Sequence, residues 1–238
     1  MIAKDNLSTA LILFFTSVFI MFIGRVSLKH LMLLFAGSVC VLGIFLLLLF
    51  KLPDSMLIGR MATWKSRVET HFIHKDDPDD SYQSLQANIA IAKGGLLPNG
   101  PGNSTQKNFL PEAYSDFIYA IIIEEYGLLF GGVGLVFLYL LFLWRSILIF
   151  RRCPFAFGAF LAVGLSFTLV FQAFLNMAVN VNLVPVTGLT LPLVSMGGSS
   201  IWFTCLAIGI ILSVSRFVET AEGNENRIVE EIMQDNHQ

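Results

Sequence analysis

Charge is scarce in this chain. Of its 238 residues only 13% are Asp, Glu, Lys or Arg, against 55% hydrophobic, and the mean hydropathy is +0.72. A soluble domain needs a wetted surface that this composition cannot supply, so an integral membrane protein is expected. A net charge of -2 leaves no basic footprint for nucleic acid. Cysteine is equally sparse: Cys40, Cys153 and Cys205 lie in or beside apolar runs, and no disulfide framework or zinc spacing can be drawn from them. They read as small hydrophobes. No internal repeat is visible at any period, which sets aside solenoids and propellers. A basic n-region with a small-residue cleavage site is also missing, since MIAKDN leads straight into an apolar run.

What the chain has is apolar length. A span needs about 20 predominantly apolar residues, and five segments approach that: 7–24, 30–50, 126–149, 155–177 and 199–214. All read as helices, because barrel strands would be half as long and alternating. The connections GRVSLKH (Arg25, Lys29, His30) and WRSILIFRRC (Arg145, Arg151, Arg152) are short and basic, which places both on the cytoplasmic side. The expected organisation is two spans in 1–50, a large extracytoplasmic loop in 51–125, three spans in 126–216 and a disordered cytoplasmic tail in 217–238. The short outside N-terminus and odd span count lead to the expectation that this is the C-terminal part of a longer protein.

Within the outer loop, YQSLQANIAIAK spaces Leu85, Ile89 and Ala92 at helical intervals, predicting a short amphipathic helix that breaks at Gly94 and Gly95. The GGLLPNGPGNSTQK that follows is rich in turn residues. It is no phosphate loop, because Pro101 stands where lysine is required and no strand precedes it. HFIHKDDPDD pairs His71 with His74 before Asp76, Asp77, Asp79 and Asp80, but lacks EF-hand spacing and reads as a solvated acidic turn. Pro111 and Glu112 suit the first turn of a helix. Continued unbroken to Ile149, that helix would measure roughly 58 Å, far more than one crossing.

Four further features concentrate chemistry. Gln172, Asn176 and Asn180 form an amide stripe every four residues, suited to interhelical hydrogen bonds or to a cavity wall. The segment 181–198 is apolar yet broken by Pro185, Gly188, Pro192, Gly197 and Gly198. Irregular backbone at membrane depth requires a protein-lined setting, so a re-entrant segment beside a site is expected. Asp116 lies among apolar residues, where it is either a helix-dipole carboxylate or a general base. Glu124 and Glu125 follow about two turns later and are read as anchors that pair with Lys or Arg of other segments.

The run GGLLPNGPGNSTQKNFLPEAYSDFIYAIIIEEYG, followed by NLVPVTGLTLPLVSMGGSS, resembles the SEDS family of FtsW and RodA peptidoglycan glycosyltransferases, and DNLSTA at 5–10 is similar to that family's DLGTA. LPEA before SDF looks more like the FtsW, or division, branch. Met196 departs from the family's usual tyrosine. The resemblance implies an all-α polytopic membrane fold of about ten spans, of which this chain supplies the last five. It implies lipid II as substrate, inverting transfer with Asp116 as general base, and a bacterial inner-membrane location. Substrate-binding candidates are Lys107, Glu112, Gln83, Lys93, Asn176, Ser195, Gly197 and Gly198, with Glu124 and Glu125 in support. A divalent cation, Mg or Mn, with unassigned ligands is the implied cofactor. A class B penicillin-binding transpeptidase and other divisome proteins are the implied partners. The competing readings are a lipid-precursor flippase or transporter and a silent scaffold for a transpeptidase.

Overall fold

The computed structural model describes residues 7–51 and 78–235, and every regular element among them is helical. Asp5, His71, His74, Asp76 and Asp77 lie outside the described residues. The helices are α1 (Leu7–Ile23), α2 (Leu28–Lys51), α3 (Pro78–Gly94), α4 (Ile118–Gly127), α5 (Gly134–Arg152), α6 (Ala156–Asn180) and α7 (Gly198–Asp235). A single 3₁₀ turn (Gln106–Asn108) precedes α4, and a π-helical turn (Leu128–Val133) leads into α5. The apolar stretches Ile118–Arg152, Ala156–Asn180 and Gly198–Ala221 are long and apolar enough to cross a membrane, and Ser8–Ile23 and Leu28–Ile44 are shorter apolar helices. The chain is a polytopic helical membrane protein.

Helix α6 is the centre of the bundle. Its Ala159, Ala162, Val163, Gly164, Ser166 and Ala173 are buried, and small residues of this kind let neighbouring backbones approach closely in lipid. Along α1 the fit is close: a Cβ at Gly164 would lie 2.9 Å from Ile20 Cδ1. Phe19 stacks on Phe167 at 3.8 Å between ring centroids, and Thr16 and Thr168 share a 3.2 Å hydrogen bond. Helix α2, by contrast, exposes Met32, Leu33, Val41 and Leu47, an apolar surface suited to hydrocarbon. Cys40, Cys153 and Cys205 are free thiols. Gly24 lies beside the Phe160 ring, and Phe155 meets Phe217 at 5.3 Å. Arg25, Arg152 and Arg216 therefore share one end of the bundle.

The long apolar stretch from Ile118 is not one straight rod. Gly127 takes φ 76, and the Leu128 N–H donates to the Gly95 carbonyl at 2.9 Å instead of continuing α4. Beyond this break the chain folds back: a Cβ at Gly131 would lie 2.6 Å from the Ile122 carbonyl oxygen, and the Tyr119 hydroxyl donates to the Gly132 carbonyl at 3.3 Å. Leu128–Arg152 then spans roughly 38 Å at 1.5 Å per residue, enough for one crossing.

Three sequence expectations need correction. The helix expected from Pro111 starts at Ile118. Glu112 adopts φ 56, and its single carbonyl accepts the N–H groups of Ser115, Asp116 and Phe117, so 111–117 form turns rather than a helix. Helix α3 exists, but its packing face is Ala87, Ala90 and Gly94, while Leu85 is 57% exposed and Ala92 is exposed. Close approach selected the small side chains: a Cβ at Gly94 would lie 2.2 Å from the Ile123 carbonyl oxygen. Lastly, α7 continues to Asp235 through residues expected to be a disordered tail.

Candidate functional site

Asp116 sits at the last turn before α4, half-buried, with its carboxyl outside the helical ladder. The Ser115 hydroxyl donates to Asp116 Oδ1 at 3.0 Å, and Oδ2 lies against Gly188, where a Cβ would come within 3.8 Å. Gly188 holds φ 68, a conformation that favours glycine. A side chain there would crowd the carboxylate as well as strain the turn.

Two walls converge on this carboxylate, and α6 joins them. Asn176 Nδ2 donates to the Asp116 carbonyl at 2.8 Å and to the Leu189 carbonyl at 2.6 Å. Asn180 Nδ2 donates to the same Asp116 carbonyl at 2.9 Å, while its Oδ1 accepts the Ala120 N–H at 3.1 Å. Gln172 Nε2 reaches the Thr190 carbonyl at 2.9 Å. The amide stripe thus serves as the spine to which the irregular segment 181–197 and the start of α4 are fastened. Buried amides gain from being fully bonded, since an orphaned one costs about 1–3 kcal/mol.

Ser195 closes the other side. Its Oγ donates to the Ser115 carbonyl at 2.5 Å and accepts the Leu191 N–H at 2.7 Å. The Met196 N–H donates to the Tyr114 carbonyl at 2.8 Å, and the buried Tyr139 hydroxyl donates to the Pro192 carbonyl. Gly197 packs beside Thr190 and Ser200, where a Cβ would meet both at 3.3 Å, and Gly198 opens α7. Of the predicted site residues, then, Asp116, Asn176, Ser195 and Gly197 are brought to one place.

Glu124 organises a second cluster. Only 3% exposed, it accepts from the Ser104 hydroxyl, the Thr105 N–H at 3.1 Å, the Thr105 hydroxyl at 2.9 Å and the Gln106 N–H at 3.2 Å. The expected pairing of Glu124 with Lys or Arg is thereby corrected: loop hydroxyls and amides hold it. Lys93 Nζ bonds Thr105 Oγ1 at 3.0 Å, and Lys107 Nζ bonds the Gly102 carbonyl at 2.8 Å. Both lysines thus belong to the loop folded over Glu124. Glu125 acts through its backbone carbonyl, which accepts the N–H groups of Asn99 and Gly100 at 3.0 Å. Glu112 is exposed at its left-handed turn, and Gln83 is half-buried on α3.

Sequence reasoning left three participants out of the site: Ser115, Gly188 and Asn180. The four-residue spacing already signalled Asn180, whereas Gly188 looked only like a helix breaker. Among the described residues no group of three or more His, Cys, Asp or Glu is placed to hold a metal ion. They offer no dedicated cage for the implied divalent cation.

A helical membrane protein that presents one fastened, half-buried carboxylate at the end of its bundle away from Arg25, Arg152 and Arg216 defines the class. The profile of the Cell cycle protein family of FtsW, RodA and SpoVE matches residues 1–220, and the chain belongs to that family. The probable peptidoglycan glycosyltransferase FtsW of Nitrosococcus halophilus is 36% identical over 230 residues, covering 93% of this chain and 56% of the relative. Its counterpart from Thioalkalivibrio sulfidiphilus is 48% identical over 158 residues, covering 64% of this chain and 39% of the relative. Stage V sporulation protein E of Bacillus subtilis is 34% identical over 216 residues, with 90% and 56% covered. A solved chain from a peptidoglycan synthase complex that coordinates polymerization and crosslinking aligns with TM-score 0.64 at 26% identity, over 91% of this chain and 57% of that one. The chain spans about half the length of the curated relatives it matches.

Proposed function

We propose that this chain carries the catalytic carboxylate of a peptidoglycan glycosyltransferase that polymerises lipid II, with Asp116 as general base. The observation that carries the reading is the fastening of Asp116: its peptide is held by Asn176 and Asn180, and its carboxylate by Ser115. A general base needs such fixed geometry more than it needs any particular fold. In the reaction the acceptor sugar hydroxyl gives its proton to Asp116 while its oxygen bonds to the donor's anomeric carbon. The bond from that carbon to the pyrophosphate breaks, undecaprenyl pyrophosphate leaves, and configuration inverts in this single displacement. Lys93 and Lys107, which bond neutral oxygens of the loop, are, among the described residues, outer-loop cations that could meet the leaving charge.

The relatives' names support this reaction class, and the LPEA sequence supports the division branch with a class B penicillin-binding protein as partner. The remaining wall of the cavity would come from the further spans of the family. The setting is the bacterial inner membrane with the C-terminus cytoplasmic, as the bundle end bearing Arg25, Arg152 and Arg216 favours.

The test grafts residues 1–220 onto the Nitrosococcus relative in place of its matching part and reconstitutes the chimera with a transpeptidase partner in liposomes containing fluorescent lipid II. Glycan polymer is expected. Transfer of labelled lipid between leaflets without polymer would instead favour a flippase.

A further inference from the structure

In a continuous helix the Asp116 carbonyl would accept the N–H of Ala120, four residues on. Here that bond is absent. Ala120 N–H instead faces the Phe117 carbonyl at 3.1 Å and Asn180 Oδ1 at 3.1 Å, and the Asp116 carbonyl accepts Asn180 Nδ2 at 2.9 Å. One carboxamide has entered the slot of that helical hydrogen bond and joins both of its groups, its carbonyl taking the N–H beside Phe117 and its NH₂ taking the C=O beside Asn176. Reversing that amide would set oxygen against oxygen and donor against donor, so its orientation is determined by its partners.

We infer that Asn180, aided by Asn176, is a positioning residue that holds open the first turn of α4 and thereby aims the Asp116 carboxylate away from the helix axis. The inference rests on the general-base reading of Asp116. Asn180 is 1% exposed and spends its second Nδ2 hydrogen on the Asn176 carbonyl at 2.9 Å. Asn176 is likewise 1% exposed, and its own donors go to the Asp116 and Leu189 carbonyls. No amide hydrogen of either residue remains for a substrate, which moves Asn176 from the substrate-binding role expected of it to a positioning one. Leu189 follows Gly188, the residue against Asp116 Oδ2. The two amides therefore set both the carboxylate and the wall it faces. Were Asn180 lost, Asp116 would fall into register as an ordinary first-turn residue of a longer α4, its carboxyl swung around the helix.

Two measurements test this. In the full chain in lipid nanodiscs, Asn180→Leu keeps the side-chain size and removes both bonds, so backbone hydrogen exchange at Ala120 should rise by about tenfold, with the amides of α5 and of the α1-facing part of α6 unchanged. Unchanged protection at Ala120 would overturn the splint. In the chimera with the Nitrosococcus relative and a transpeptidase partner, Asn180→Asp keeps the acceptor for Ala120 but sets an anion against the Asp116 carbonyl. It should lower kcat by about 10²-fold with KM within about threefold, and should add no loss in an Asp116→Asn background. A purely structural role predicts instead independent, multiplying losses. Normal turnover of Asn180→Asp beside an inactive Asp116→Asn would overturn the positioning role while leaving the general base intact. Normal turnover of Asp116→Asn would remove both, and the exchange result would still judge the splint by itself.

Discussion

Gly94→Ala adds one methyl group where the structure leaves no room for it. The new Cβ would lie 2.2 Å from the Ile123 carbonyl oxygen, 2.7 Å from its carbon and 3.0 Å from Glu124 Cα. All three are backbone atoms of α4, so no side chain can rotate away, and α3 must back off by roughly 1 Å to restore van der Waals contact. Overpacking of this kind costs about 1–3 kcal/mol, and a rigid backbone neighbour puts it near the upper end. Helix propensity returns at most about 1 kcal/mol for replacing glycine, leaving a net loss of about 2 kcal/mol. Gly43→Ala on α2 supplies the control, because its Cβ meets nothing within 4 Å and retains only the propensity gain. The two alanine variants should therefore differ by about 3 kcal/mol in unfolding free energy measured in the same detergent micelles. Gly94→Ala should also raise hydrogen exchange at Ala87 and Ala90. Equal stability of the two variants would refute the close contact of α3 with α4.

Further outcomes follow from the same geometry. Glu124→Gln leaves one amide oxygen to serve the N–H groups of both Thr105 and Gln106. The unserved donor should cost about 1–3 kcal/mol, read as faster proteolysis within 99–108; an unaltered digestion pattern would count against the Glu124 cluster. Gly127→Ala combines φ 76 with a Cβ 2.7 Å from the Leu97 carbonyl carbon, and should lower stability by about 2–4 kcal/mol; a wild-type unfolding curve would argue against the fold-back. A reporter fused after Gln238 should report the cytoplasm, because Arg25, Lys29, Arg145, Arg151 and Arg152, in the α1–α2 turn, the first turn of α2 and the last turns of α5, retain that end of the bundle there. An external signal would invert the orientation and place Asp116 on the wrong face.

The helical membrane architecture was legible because five bare apolar runs leave few alternatives, and the amide stripe was legible because its spacing matches a helix face. The partners of that stripe were not, since they are backbone carbonyls of Asp116, Leu189 and Thr190 that no side-chain pattern announces. Helix α3 shows how periodicity misleads at a close contact. Leu85 and Ile89 look like the packing face, yet Ala87, Ala90 and Gly94 allow the nearer approach and win. The fold-back at Gly127 is hidden because GLLFGG is apolar throughout and reads as continuous helix, whereas its signal is conformational, a positive φ opposite Gly95 and Leu97. At Glu124 the search for an opposite charge overlooked Ser104 and Thr105, whose hydroxyls hold the carboxylate. The start of α4 was misplaced because Pro111 and Glu112 carry good helix-start chemistry, while the left-handed turn at Glu112 gathers the N–H groups that a helix would have used.

The most direct test of the account is lipid II polymerisation by Asp116→Asn in the chimera with the Nitrosococcus relative, reconstituted with a transpeptidase partner. Asparagine keeps the size, the polarity and the Ser115 contact but cannot take a proton from the acceptor hydroxyl. Glycan synthesis should fall by about 10²- to 10⁴-fold while expression, partner binding and lipid II binding persist. If Asp116 served only the helix dipole, the change would remove about 0.3–1 kcal/mol of helix stability. Near-normal glycan synthesis by a well-folded Asp116→Asn protein would contradict the general-base assignment.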